Sequence, residues 1–358
     1  MAEKLTEVLE QYGIAPVSIS RGRGAYFCRT EEGLYKLELF AGSERRLLRE
    51  HEIKERLFQA GFQNIDRYIE VVETELYRGD DMRPVLSESE LHRENGILQE
   101  MAADTLIAAD RYRNAYTLRR YYDGHECDLK NEKDVALAVD NLRAFHEVGV
   151  KIARDCKIDM QTKAVETFAR HNRELKRVRS FIAKQNHKND FEMKYLTLFS
   201  YFYDRAVKSE EMLRQTRVYD NPLRFGLCHG SYHQHNVLIL KQGVATVSFE
   251  QFHFDNQLMD LYNFIRKLLE KNHFQYSCFV DAIKAYEGTQ TLCIQDYAYL
   301  YWLFSYPEKF WKLSNHYMNG SKAWIPPKTM EKLEGMVKAE QEKTEFLAEF
   351  KRDYGIPI

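Results

Sequence analysis

At 358 residues the chain is longer than one hydrophobic core usually sustains, so two lobes are expected. Hydrophobic residues at 44% and charged residues at 30% suit an ordinary globular protein. The 52 basic and 54 acidic residues leave a net charge of −2, which gives no electrostatic case for general binding of nucleic acid or membrane. No apolar run reaches the roughly 18 residues of a spanning helix, so no membrane span is expected. The opening residues carry Glu3, Glu7 and Glu10 and do not read as a signal peptide. Six scattered cysteines without a C-x-x-C pair argue against disulfides or a zinc knuckle and fit synthesis in a reducing cytoplasm.

Leu5, Val8, Leu9 and Tyr12 mark one face of a short first helix that Gly13 ends. Strand-like text follows at Ala25 to Thr30 and Leu34 to Phe40, joined by a Glu31-Glu32-Gly33 turn. In the second strand Lys36, Glu38 and Phe40 share one side and Tyr35, Leu37 and Leu39 the other. Gly42-Ser43 opens a helix from about Glu44 to Gln59. Tyr68 to Tyr77, Thr105 to Ile107 and Tyr116 to Tyr122 read as further strands, and 78–103 is acidic and patternless. Residues 1–122 are thus expected to form an antiparallel sheet with one crossing helix.

After Asp123-Gly124 the periodicity turns helical, over 123–358. Val135, Ala138, Val139, Leu142 and Phe145 form one stripe. Phe168, His171, Leu175, Val178 and Ile182 form a second, on a very basic helix, 166–187, that reads as a solvated face with a binding role as the alternative. Tyr195, Leu196, Phe199, Phe202, Tyr203 and Ala206 form a third. Around 225–253 the pattern breaks into short strands, Val237 to Leu240 and Ala245 to Phe249, about a Gly243 turn. Leu258, Leu261, Tyr262, Ile265, Leu268 and Leu269 restore a helix, and the last helix runs from about Lys328 to Arg352.

The most specific text is Cys228-His229-Gly230-Ser231-Tyr232-His233-Gln234-His235-Asn236, followed by Val247-Ser248-Phe249-Glu250. It resembles the aminoglycoside-phosphotransferase-like branch of the protein-kinase fold, which reads H-G-D-x-x-x-x-N in its catalytic loop and I-D-[FW]-[DE] at its metal site. In such sites the first Asp takes the acceptor's proton, while the Asn and the second Asp hold magnesium against the phosphates. Gly124-His125-Glu126-Cys127-Asp128, Leu142-Arg143-Ala144-Phe145-His146, His171-Asn172-Arg173-Glu174-Leu175-Lys176, Tyr306-Pro307-Glu308-Lys309-Phe310-Trp311 and Lys322-Ala323-Trp324-Ile325 resemble CotS-type spore coat proteins, a bacterial family built on this fold. The resemblance implies a two-lobe α+β architecture, with a small β-rich N-lobe, a mostly helical C-lobe holding the loop-like segment 228–250, and a cleft between the lobes.

Three positions depart from the pattern. The base slot holds Ser231, the metal-Asp slot holds Ser248, and the strand-lysine slot of G-x-Y-x-L-K holds Glu38. A neutral serine is a poor substitute for a carboxylate base, whose help is worth about 10²–10⁴-fold. It brings no charge to a magnesium, and a glutamate in the lysine slot would repel phosphate. Asn236 and Glu250 survive, and Lys36 points to the same side as Glu38 as a candidate replacement, with Glu50 or Glu52 as its partner.

The expected function is therefore that of a CotS-like pseudokinase of the spore coat, acting in sporulation as a structural or binding component with other coat proteins. A ligand in the interlobe cleft is the small-molecule counterpart of that role. The alternative is an atypical ATP-dependent phosphotransferase acting on a hydroxylated, sugar-like substrate. There Lys36, Asn236 and Glu250 would hold ATP, with Asn236 and Glu250 on magnesium. His229, His233 and His235 read as packing and loop histidines in preference to a zinc site. Gly22-Arg23-Gly24 reads as a plain turn, Asp260 as a buttress of local backbone, and the aromatic run Tyr299 to Trp311 as core.

Overall fold

A computed structural model describes residues 2–22, 24–72, 103–156, 163–216, 224–288, 291–320 and 327–356. The chain divides into two compact units. One comprises Met1–Asp128, Ala144–Ile158 and His229–Phe252; the other comprises Leu129–Arg143, Asp159–Cys228 and His253–Ile358. By contact, the loop segment with Ser231, Asn236, Ser248 and Glu250 thus groups with the sheet. No helix among the described residues is long and apolar enough to cross a membrane, and none of the six cysteines, all described, is in a disulfide.

The first unit is built on a five-stranded antiparallel sheet. Its strands are β1 (Ser18–Gly22), β2 (Ala25–Arg29), β3 (Leu34–Leu39), β4 (Ala108–Ala109) and β5 (Ala115–Tyr121), in the order β1-β2-β3-β5-β4. Helix α1 (Ala2–Glu10) covers one face. Its Leu5, Val8 and Leu9, with Tyr12 beyond its end, pack on Cys28, Tyr35, Leu37, Tyr116 and Leu118. Tyr12 is tied down at its far end, its hydroxyl donating to the Tyr116 carbonyl at 2.7 Å. The period-2 alternation of β3 therefore sends Tyr35 and Leu37 into this core and leaves Lys36 and Glu38 on the opposite face. Antiparallel register sets Lys36 opposite Arg119 and Glu38 opposite Thr117, so Arg119 shares that polar face. Helix α2 (Glu44–Gln59) buries Leu47, Glu50, Ile53, Lys54 and Leu57.

The strand expected over Tyr68 to Tyr77 is not a strand within its described part, and residues 73–77 lie outside the described residues, as do 78–102. Here the backbone divides its hydrogen bonds among several partners: Ile69 N–H to Leu118, Val71 N–H to Thr105 and Val72 N–H to Gln11. Thr105 to Ile107 also differs from expectation, because a 3₁₀ turn over Ala103–Thr105 precedes a strand of only two residues, β4. Strand β1 went unread in the sequence. It pairs Gly22 with Ala25, and Gly24 takes φ 80° between the two strands; Arg23 lies outside the described residues.

A second, three-stranded sheet joins β6 (His125–Glu126), β8 (Val237–Ile239) and β9 (Val244–Thr246). Gly243 takes φ 89° in the β8–β9 turn, as its position implied. Gly124 enters β6 where a Cβ would lie 2.6 Å from the Ile239 carbonyl oxygen and 2.7 Å from Leu240 Cδ2. Backbone cannot retreat from such a clash. Gly124→Ala is expected to cost about 1–3 kcal/mol, read as a lower urea midpoint at unchanged slope.

The second unit is mostly helical. It contains α4 (Lys163–Ala183), α5 (Asp190–Gln215), α6 (Leu258–Lys271), α7 (Tyr276–Glu287), α8 (Ile294–Ser305), α9 (Glu308–Asn319) and α10 (Pro327–Tyr354), with a strand pair of β7 (Phe225–Cys228) and β10 (His253–Asn256). Helix α3 (Glu132–Asp155) has its residues up to Arg143 in this unit. The apolar stripes of α3, α4 and α6 are buried along their length; on α5 Tyr195, Phe199, Phe202 and Ala206 are buried and Leu196 and Tyr203 half-buried. Two of the quoted sequence patches meet here. His171 stacks on Trp311 at 3.4 Å, Phe168 stacks on Tyr306 at 4.0 Å, and the Trp311 indole donates to Glu174 at 2.7 Å. The aromatic run is core, with Tyr299, Trp302, Phe304, Tyr306 and Phe310 buried. Asp260 is buried on the first turn of α6, and the Asp255 carboxylate accepts the Asn256 N–H at 2.7 Å. The Lys322–Ile325 patch lies outside the described residues.

Candidate functional site

The loop before β8 is held from beneath by His229, which is fully buried against Phe145, Tyr232 and Phe249. The Ser231 amide donates to its Nδ1 at 3.2 Å. An amide can only donate, so Nδ1 is an acceptor and the proton sits on Nε2, which donates to the Val247 carbonyl at 3.1 Å. Both ring nitrogens are spent on backbone, which leaves His229 no lone pair for a metal. His235 is engaged at Nδ1 by Glu126 at 2.6 Å, and the His235 amide donates to His233 Nδ1 at 3.3 Å. Among the described residues no three His, Cys, Asp or Glu side chains converge to hold a metal ion.

Asn236 closes the loop. Its amide nitrogen donates to the Ser231 carbonyl at 2.9 Å and lies 3.4 Å from the Ser231 hydroxyl. Its backbone carbonyl accepts the Val247 N–H at 3.0 Å, which continues the β8–β9 ladder and lays Ser248 beside the loop. Ser248 sits at φ 69°, a left-handed conformation that side-chain-bearing residues seldom adopt. Its N–H is anchored by the Asp66 carboxylate at 3.0 Å. The strand reading of Ala245 to Phe249 thus stops at Thr246, because this reversal cannot be part of a ladder.

Asp66 is the hinge of an ion network the sequence reading missed. The fully buried Lys54 ammonium lies 2.7 Å from Glu50 and 3.0 Å from Asp66, over the Tyr68 ring at 4.4 Å. The Arg119 guanidinium, 6% exposed, lies 3.2 Å from Asp66, 2.7 Å from Glu250 and 3.7 Å from Glu50, and also binds Glu38. Glu38 in turn holds Lys36 at 2.8 Å. Three cations and four carboxylates therefore close on one another. Glu50 is taken by Lys54 and Arg119, and Glu52 pairs with Arg56 at 2.9 Å, so the partner recorded for Lys36 is Glu38 on its own strand.

The electrostatics follow from burial and these contacts. Burial alone would strip the Lys54 proton, but Asp66 and Glu50 override it and raise its pKa. Burial pushes the Asp66 carboxyl up to about 6 against the pull of Lys54. Burial, with Arg119 alongside, brings Lys36 down to about 8. Burial would raise Glu250, yet the Arg119 guanidinium holds it down at about 2. A carboxylate depressed on folding contributes stability above its unfolded value of 4.5 that is lost as pH falls through about 2. Glu250→Gln is expected to flatten that acid limb, measured as urea midpoint against pH.

A magnesium fits these groups poorly. Ser248 offers no charge, and the Glu250 carboxylate is already neutralised by a guanidinium, so no unpaired carboxylate of these motif positions is left to balance a divalent charge. Lys54 is fully buried and cannot reach a phosphate.

Comparison with family profiles and with curated protein sequences finds no match. Among solved structures the chain is similar to an aminoglycoside phosphotransferase from Alicyclobacillus acidocaldarius, with TM-score 0.76 and 14% identity over 97% of this chain and 95% of that one. It is also similar to a spectinomycin phosphotransferase complexed with AMP, with TM-score 0.62 and 13% identity over 96% and 98%. An ethanolamine kinase of Plasmodium vivax matches with TM-score 0.51 and 14% identity over 89% and 81%. Likeness at such identities shows the fold. The chain has the kinase-like fold of the aminoglycoside phosphotransferases, with a small antiparallel sheet in its N-terminal part and a largely helical C-terminal part.

Proposed function

We propose that this chain is a CotS-like pseudokinase, made in the cytoplasm and acting in the spore coat by binding and not by phosphoryl transfer. One observation carries the reading. The cations and carboxylates around the former catalytic slots are consumed by each other, Glu250 by Arg119 and Lys36 by Glu38, while serines stand at the base and metal positions. Losing a general base alone costs up to roughly 5 kcal/mol of barrier, at about 1.4 kcal/mol per tenfold. Losing charged metal ligation adds to that, though not in simple sum. The packing of the His171 and Tyr306 patches into one cluster supports the family resemblance, because two separate patches that carry it acquire a common physical reason.

The test is turnover. The pure chain, given ATP, magnesium and a panel of aminoglycosides, hexoses and ethanolamine, is expected to yield no phosphorylated product by mass spectrometry above a protein-free control. A product formed catalytically and abolished by Asn236→Ala would overturn the reading in favour of an atypical phosphotransferase using Lys36, Asn236 and Glu250.

A further inference from the structure

Residues 163–188 hold eight basic and two acidic side chains, a local excess of six positive charges in a chain of net −2, so the remainder carries −8. Within α4 the apolar stripe of Phe168, Leu175, Val178 and Ile182 is buried in the second unit. The opposite side is exposed and carries Arg170, Arg173, Arg177 and, one residue past the helix's end, Lys184; Lys176 and Arg179 flank that row. Among the described residues, Arg173, Lys176, Arg177, Arg179 and Lys184 have no acidic partner, and Arg170 reaches Glu174 only at 4.0 Å. Lys176 and Arg179 lie instead over the rings of Tyr203 and Phe199, at 5.4 and 5.3 Å, on α5.

This arrangement is costly to the helix. Arg170 with Arg173, Arg173 with Lys176 and Arg177, and Lys176 with Arg179 are like charges at i,i+3 or i,i+4, where each pair repels. Folding does not need them there, since the buried stripe already fixes the helix. Three of the four cations in the row are arginines, whose planar fork takes carboxylates two bonds at a time.

We propose that the exposed face of α4 docks a short acidic polypeptide segment of a partner protein. The row from Arg170 to Lys184 spans about 21 Å at 1.5 Å per residue, the length of about six or seven residues of extended chain. The row presents no apolar side chain for burial in a lipid surface, and the negative balance elsewhere on the chain opposes a long polyanion while leaving a short one unaffected.

The experiment uses the full chain and a fluorescein-labelled octaglutamate peptide, with binding read by anisotropy at about 20 mM salt, where screening is weak. Binding is expected, with affinity falling at least about tenfold in Arg173→Glu/Arg177→Glu and by a smaller factor in Arg173→Gln/Arg177→Gln. The thermal midpoint of either variant is expected to equal or exceed that of the parent, because repulsion is relieved. Three results would each overturn the proposal. They are no peptide binding at millimolar concentration, binding indifferent to both variants, and tighter binding of oligothymidylate or of phosphatidylserine vesicles with the same sensitivity to the variants.

Discussion

Lys54→Met is expected to destabilise the first unit by about 3–5 kcal/mol, the usual result of removing one partner from a buried ion pair. The side chain is 0% exposed and lies between Glu50 and Asp66. A methionine fills the volume but leaves those two carboxylates facing each other with Arg119 as the nearer remaining cation. The loss should depend on pH in a defined sense. Asp66 already has its pKa raised by burial to about 6, and removing Lys54 raises it further. A carboxyl whose folded pKa is raised contributes stability below its unfolded value, and that contribution is lost as pH rises through the folded one. The deficit of Lys54→Met should therefore be smaller at pH 5 than at pH 8, measured by urea unfolding. A deficit constant with pH would show that Asp66 does not carry the strain. Lys54→Met/Glu50→Met should recover part of the loss, since two apolar groups replace a pair at little net cost.

The second large effect is expected at Arg119. Its guanidinium contacts Glu38, Asp66, Glu50 and Glu250 and so links β3, α2 and the 248–250 segment electrostatically. Arg119→Met should again cost about 3–5 kcal/mol. Its signature should differ from that of Lys54→Met. Glu38 and Glu250 are partly exposed, 24% and 43% by side chain, so their released repulsion is open to screening. Added salt should restore part of the stability of Arg119→Met and little of that of Lys54→Met, whose uncovered charges are buried. The two losses should not add in the double variant, because both cations serve Asp66 and Glu50. Strict additivity, read from the urea midpoints of the four proteins, would contradict a shared network.

The elements most legible in the sequence are those whose burial is periodic. The face of α1, the stripes of α4 to α6, the alternation of β3 and the Gly243 turn all follow from spacing alone, because a 3.6- or 2-residue period has one reading when the apolar set is clean. Elements without such a period were missed. Residues 65–72 spend their backbone on scattered partners, β4 is two residues long, and β1 lacks a buried side chain to mark it. The slots of the loop are readable as motif positions, and the structure pairs Lys36 with Glu38 where Glu50 or Glu52 was expected, for a physical reason. On α2, Glu50 and Lys54 stand at three and seven residues after the buried Leu47, inside the apolar stripe. A charged pair at stripe positions is a signal of buried ionic contact, and it would have directed Glu50 to Lys54. Asp66 and Arg119 carry no comparable mark. The first lies in an irregular stretch, and the second is in a strand whose neighbours on both faces are buried. Their meeting depends on tertiary contacts alone.

In the proposed pseudokinase, cations supplied by the chain itself take up the charge that a divalent ion would otherwise balance. Thermal unfolding with magnesium alone, ATP alone and both together tests this most directly. A ligand at 100 times its dissociation constant adds about 2.7 kcal/mol, a shift well within detection. No stabilisation that requires magnesium is expected. A midpoint that rises only when magnesium and ATP are both present, and that no longer rises in Asn236→Ala or Glu250→Gln, would contradict the proposal.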